Sequence, residues 1–289
     1  MATAAIMPDV FFIGDKLSNV ARHLNVLSRG MVTCQVPMIE LLYPGIPQLE
    51  CTRCIMGDKR QVLYTAARRA EVEWIVMERD TPDVEGFSGL NPSEMKEDLE
   101  AAGYRADVID FSCGLEKAVM SAGDLFQREK EAARVMKRYH KEFDEAVQAR
   151  PKDLGLRVAV FLGITHPVTN EHFLVQSFEE TMLGNQILTP MGCTDVTPPM
   201  DEETGPTVLQ NLSCLKEIEP DVIVFSGNAH VGLRMLHQDL AQDESMRKIP
   251  AVRDHAIFGL PHISGGEPLD LPASIVQWSD TLKRAAETC

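Results

Sequence analysis

Long apolar runs are missing from this 289-residue chain, and so is any excess of basic residues. A helix that crosses a bilayer needs about 20 consecutive apolar residues, and no stretch approaches that length, so the chain is not membrane-spanning. Lys and Arg number 28 against 43 Asp and Glu, a net charge of −15. Phosphate backbones are bound by concentrated positive charge, so a nucleic-acid partner is excluded; the acidic surface serves solubility. Aromatic residues make up only 6%, which argues against a broad carbohydrate-stacking platform. No GxxxxGK[ST], GxSxG, HExxH or GxGxxG occurs, which sets aside nucleotide cradles, nucleophile elbows and zinc-protease helices. The Gly265-Gly266 pair is a turn, too short to cradle a phosphate. Met1 to Pro8 carries neither the basic residue nor the apolar core of a secretory leader. As the chain begins, the expectation is therefore a cytoplasmic protein, or a periplasmic or cell-surface one where a leader has been removed.

Seven cysteines are present, an odd number without the dense spacing of a disulfide framework. Free thiols or metal ligands are the better reading. Short β-branched or aromatic runs alternate with helical patterns, the signature of parallel strands joined by right-handed crossovers. Val10–Gly14, Met31–Val36, Trp74–Glu78 and Ala106–Phe111 read as strands of a first series. Helices are expected from Leu17, from Lys59 to Ala70, and from Pro92-Ser93 to Gly103, with Pro37 to Cys54 rich in loops. Apolar residues from Leu125 to Val147 then recur at three- and four-residue steps, which predicts one long amphipathic helix. A second series follows, with strands at Arg157–Gly163, Val222–Gly227 and Ala256–Leu260. Its helices are expected at His172–Leu183, His230–Ala241 and Pro272–Glu287, and Gln186–Leu188 reads as a further extended run. The implied architecture is α/β: two Rossmann-like lobes at 1–124 and 151–289, joined by a helix at 125–150.

Several phrases resemble the helical-backbone (class III) solute-binding proteins of ABC importers. IGDKLSNVARHLNVLSRGMV is similar to that family's opening strand–helix–strand. GLEKAVMSAGDLFQREKEAARVMKRYHKEFDEAV resembles its lead-in and connecting helix. LSCLKEIEPDVIVFSGNAH and IPAVRDHAIFGLP resemble its later strand entries. The resemblance implies capture of a metal ion, an iron-siderophore, or a corrinoid such as cobalamin or another metal-tetrapyrrole, in a cleft between lobes. It implies no catalysis, and it implies an ABC permease as partner, met by surface carboxylates for which Glu40, Glu179 and Glu180 are candidates. The alternative is a cytosolic enzyme or cofactor carrier, chelatase-like or nitrogenase-like, on a similar scaffold.

Ligands of open α/β sheets bind beyond the carboxyl ends of the strands, so residues just after each strand are the site candidates. For ligand binding these are Asp15, Cys34, Cys113, His166, Asn228 and His230. Thiolate and imidazole suit borderline and soft metals, which makes Cys34, Cys54, Cys113, His166, Cys193 and His230 candidate metal ligands. Each has a plainer reading: a lone Cys after a strand is commonly a small buried apolar residue. Cys51 and Cys54 form a single CxxC, half of what a structural zinc site commonly uses, and an incidental pair of loop thiols fits as well.

Overall fold

The structure, a computed structural model, describes residues 4–33, 42–49, 52–56, 59–80, 92–165, 171–176, 183–198, 208–263 and 265–288. The chain divides into two compact units, the first Met1–Lys141 with Gly265–Leu269 and the second Glu142–Ser264 with Asp270–Cys289.

In the first unit the run VFFI forms β1 (Val10–Ile13), and β-branched or aromatic residues buried on both faces are what a central parallel strand requires. Around it lie α1 (Asp15–His23), β2 (Gly30–Val32), α2 (Thr52–Met56), α3 (Arg60–Arg69), β3 (Trp74–Arg79), α4 (Ser93–Ala101) and β4 (Arg105–Asp110). The four strands are parallel in the order β2-β1-β3-β4. Strand side chains alternate faces, so Val10 and Phe12 enter one core with Leu17 and Val20 of α1. Phe11 and Ile13 enter the other, with Leu63 of α3 and Leu99 of α4.

Two helices follow, α5 (Leu115–Leu125) and α6 (Glu129–Ala149). The long helix thus begins at Glu129 rather than Leu125, which closes α5. No Gly or Pro marks the break; Gln127 turns the chain by adopting φ 56°. The apolar spacing ran on across it because both helices bury residues in the same core. Within α6, Ala132, Val135 and Met136 belong to the core of the first unit, while Ala146, with Phe143 and Val147 packed beside it, belongs to that of the second. Leu269 returns to the first unit's core, its N–H donating to Asn19 Oδ1 at 3.1 Å.

The second unit holds β5 (Arg157–Thr165), β6 (His172–Gln176), β7 (Thr194–Asp195), α7 (Leu215–Ile218), β8 (Val222–Gly227), α8 (Ala229–Gln242), α9 (Pro250–Arg253), β9 (Ile257–Leu260) and α10 (Leu271–Ala286). Its sheet runs β6-β5-β8-β9, with β7 beside the start of β5. Among these named strands β6 alone runs antiparallel to its neighbour. Val158, Val160, Val222 and Val224 face α10, where Trp278 is completely buried; Ala159, Phe161, Ile223 and Phe225 face α8 and α9.

Two expectations are corrected here. His172 opens a strand, not a helix, because β5 has a free edge and pairing residue for residue from Thr165↔His172 to Phe161↔Gln176 satisfies it. The run Gln186–Leu188 is not extended: it lies in a π-helical turn, Gly184–Leu188, closed by a 3-10 turn, Thr189–Met191. Among the described residues no helix is long and apolar enough to cross a membrane.

Candidate functional site

Both sheets gather polar groups at the carboxyl ends of their parallel strands. In the first unit, Gly14 turns the chain from β1 into α1 with φ 132°, and it lacks the side-chain oxygen that would cap the helix. Glu78, near the end of the neighbouring β3, supplies it: its Oε2 accepts the Leu17 N–H at 2.8 Å. A Cβ on Gly14 would lie 2.2 Å from the Glu78 carboxyl carbon, so only glycine admits this approach. Asp15 and Glu78 are both buried, 5% and 4% exposed. Lys16 and Asp80 form an ion pair at 2.7 Å close by. Burial, and then the neighbouring Asp15 charge, push the Glu78 carboxyl up to about 8, against the lowering effect of the Leu17 N–H and Lys16. Asp15 therefore sits at a strand tip, as expected, but inside a buried acid cluster. The sequence reading missed Glu78, because nothing local distinguishes a buried strand glutamate from an exposed one.

At the end of β4, Asp110 Oδ1 accepts from the Ser112 N–H at 2.9 Å and the Ser112 hydroxyl at 2.5 Å. These bonds, the hydroxyl's first, hold the Asp110 carboxyl below the usual range. The tight turn they close leaves Cys113 exposed just ahead of α5. Cys54 is half-buried on α2.

In the second unit three adjacent strands bring a hydrogen-bonded row to the tip. Asn228, directly after β8, donates from Nδ2 to Thr165 Oγ1 at 2.8 Å, and Thr165 Oγ1 lies 3.1 Å from His172 Nδ1. Gly163 makes the row possible. The Asn228 N–H donates to its carbonyl at 2.8 Å, and a Cβ there would fall 2.1 Å from the Asn228 carbonyl oxygen. His230 is exposed in the first turn of α8. After β9 comes His262, half-buried and desolvated enough to push its imidazole down to about 4, so the ring is neutral near pH 7. Trp278 fixes that loop, its indole N–H donating to the Pro261 carbonyl at 3.0 Å. His172 was missed because antiparallel β6 starts where parallel strands end. His262 lies two residues after an expected strand, and the rule applied to the other tips also points to it.

Cys193 does not join this group. It is buried, precedes β7, and β7 pairs with the first residues of β5, Arg157 and Val158, at the opposite end of the sheet. Eight residues of strand separate that end from Thr165, about 26 Å. Desolvation raises the Cys193 thiol, leaving it an inert core residue. Cys34 and His166, with the acidic candidates Glu40, Glu179 and Glu180, lie outside the described residues. Among the described residues no three His, Cys, Asp or Glu side chains come together in a way that would hold a metal ion.

No family model matches the chain, and no curated protein matches it. Solved structures do. The periplasmic haem-binding protein BhuT, in complex with two haems, aligns over 97% of this chain and 100% of its own, with TM-score 0.61 and 16% identity. The periplasmic haem-binding protein RhuT from Roseiflexus sp. RS-1, in apo form, aligns over 98% and 100%, with TM-score 0.58 and 11% identity. The triscatecholate siderophore-binding protein FeuA from Bacillus subtilis, complexed with ferri-bacillibactin, aligns over 98% and 95%, with TM-score 0.56 and 12% identity. The chain has the fold of these periplasmic binding proteins, as its sequence phrases implied. At such identities the likeness fixes the architecture and leaves the ligand to be argued from the residues.

Proposed function

We propose that this protein is the substrate-binding component of an ABC-type importer, with an iron chelate, haem or siderophore, as its cargo. The carrying observation is the chain-long match to haem- and siderophore-binding folds, with end-to-end coverage of both partners. The polar tips support it, since binding beyond the strand ends is the general habit of open α/β sheets. The reported neighbours are all binding proteins, which favours capture without chemistry over the chelatase-like and nitrogenase-like alternatives. We place its action outside the cytoplasmic membrane, where a permease reads the liganded form. Ligand shifts the protein toward that form only by its differential affinity for it.

The test is direct binding. Purified protein is titrated with ferric haem, a ferric tris-catecholate and cobalamin, following absorbance and melting temperature. Ferric haem or the ferric tris-catecholate is expected to bind saturably at 1:1 or 2:1 and to raise the melting temperature with its concentration, with cobalamin as the iron-free comparison. Binding of neither iron chelate, with the protein folded, would overturn the proposal.

A further inference from the structure

From the path of the chain between β9 and α10 we infer that Gly265–Leu269 is a releasable strap, docked beside α1 by Leu269 and Asn19, through which the first unit sets the conformation of the loop that carries His262. The inference holds whatever the cargo is.

The docking is visible in the two cores. Ile263 is buried in a core of the second unit, Leu269 in one of the first, and Leu271 packs against the second unit's core again. Gly265–Leu269 accordingly belongs to the first unit, although the chain before and after it belongs to the second. Two groups hold it there. The Leu269 side chain is 7% exposed, and its backbone N–H donates to Asn19 Oδ1 at 3.1 Å. Asn19 is completely buried on α1, one helical turn beyond Asp15. A polar side chain is costly to place in a dry interior unless it meets a partner there, and here it meets the backbone of the strap.

Covalent lengths turn the docking into a constraint on the second unit. Two residues span at most about 7 Å, so a docked Leu269 fixes where Leu271, and with it the start of α10, can lie. A 3-10 turn at Pro268–Asp270 makes that step compact. Toward the amino end the same segment leads back to His262. That loop is tied to its own unit by Ile263 and by Trp278, whose indole N–H holds the Pro261 carbonyl at 3.0 Å. Its other end is held by Leu269 in the first unit. The strap therefore has two states, docked and lifted, and a local opening of this size costs less than unfolding the protein. Whatever shifts α1 shifts this equilibrium and the His262 loop with it, and the loop acts back on α1 by the same coupling free energy.

The experiment uses the full chain without cargo and reads each end of the strap by NMR. Hydrogen exchange at the residue-269 amide reports docking, and the titration of the His262 imidazole, held down to about 4 by desolvation, reports the loop. In the wild type the Leu269 amide is expected to exchange slowly. Leu269→Ala should speed exchange there by at least about 10-fold, since truncating a buried leucine is costly, and should let His262 rise by about one unit or more as water enters. Leu269→Met, which conserves volume, should restore both. Inserting four Gly and Ser residues between Gly265 and Gly266 leaves the Leu269 contacts in place and slackens the connection. It should raise His262 while the Leu269 amide stays protected, a result that mere loss of packing in the first core does not produce. Fast exchange of Leu269 in the wild type overturns the docked strap. An unmoved His262 in the insertion variant, or in Leu269→Ala with a freely exchanging residue-269 amide, overturns the coupling.

Discussion

Glu78 shows how one buried carboxyl can shape the pH response of the chain. Its carboxyl caps α1 through the Leu17 N–H and is pushed up to about 8, by burial first and the adjacent Asp15 second. The folded state therefore holds a proton that the unfolded chain releases near 4.5. Stability from this site is complete below the unfolded value, falls as pH rises between the two, and reaches its floor above about 8. The proton belongs to the Glu78–Asp15 pair as a unit, with Lys16 and Asp80 the other charges facing it. Glu78→Gln stays neutral and keeps an oxygen for Leu17. Urea unfolding of both proteins from pH 5 to pH 9 should show the wild type losing stability relative to the variant, by on the order of a few kcal/mol. A difference independent of pH would mean that the pair does not titrate in this window. Gly163 offers a second residue-scale test, because a methyl there collides with the Asn228 carbonyl. Gly163→Ala should cost about 1–3 kcal/mol, the usual penalty of overpacking, and weaken cargo binding as well, since Asn228 is displaced from Thr165. Stability lost with affinity intact would detach the hydrogen-bonded row from the site.

Among the elements, α10 is the one that fixes a site loop. Trp278 is completely buried and holds the Pro261 carbonyl beside His262. Trp278→Phe keeps an aromatic ring and removes the donor. It should cost about 1–3 kcal/mol and let His262 rise from about 4 toward its ordinary value, which a titration of the imidazole protons by NMR would read. An unmoved His262 would show that packing alone sets the loop. Elements buried on both faces were legible from composition: VFFI, VIVFSG and RVAVFLG are strands because few other structures accept such runs. His172–Gln176 was not. Phe173, Leu174, Val175 and Phe178 also fit helical spacing, and only pairing with the edge of the preceding strand β5 decides the matter. The site divides along the same line. Asn228, Cys113 and His230 are strand-tip residues visible from sequence order. Glu78 and His172 acquire their places through partners 61 and 7 residues away, a fact of pairing that no local pattern encodes.

At the scale of the molecule, each unit has its own two-faced core, and α6 contributes residues to a core of each. The chain contains two tryptophans, one per unit. Trp74 lies over the first unit's core with its indole N–H on Asp107 at 2.8 Å, and Trp278 sits within the second. Trp74→Phe leaves Trp278 as sole reporter of the second unit, and Trp278→Phe isolates the first. Cargo bound at the tip of the second unit's sheet would stabilise that unit, by about 2.7 kcal/mol at a hundredfold excess over Kd. For a unit of this size that moves the melting midpoint by roughly 5–10 °C. The midpoint read through Trp278 should therefore rise with ferric haem; quenching by the haem lowers the amplitude and leaves the midpoint readable. Trp74 follows only as far as melting of one core frays the α6 residues that serve the other. A rise seen through Trp74 alone would place the cargo on the first unit, beside Cys113 and the Glu78–Asp15 pair.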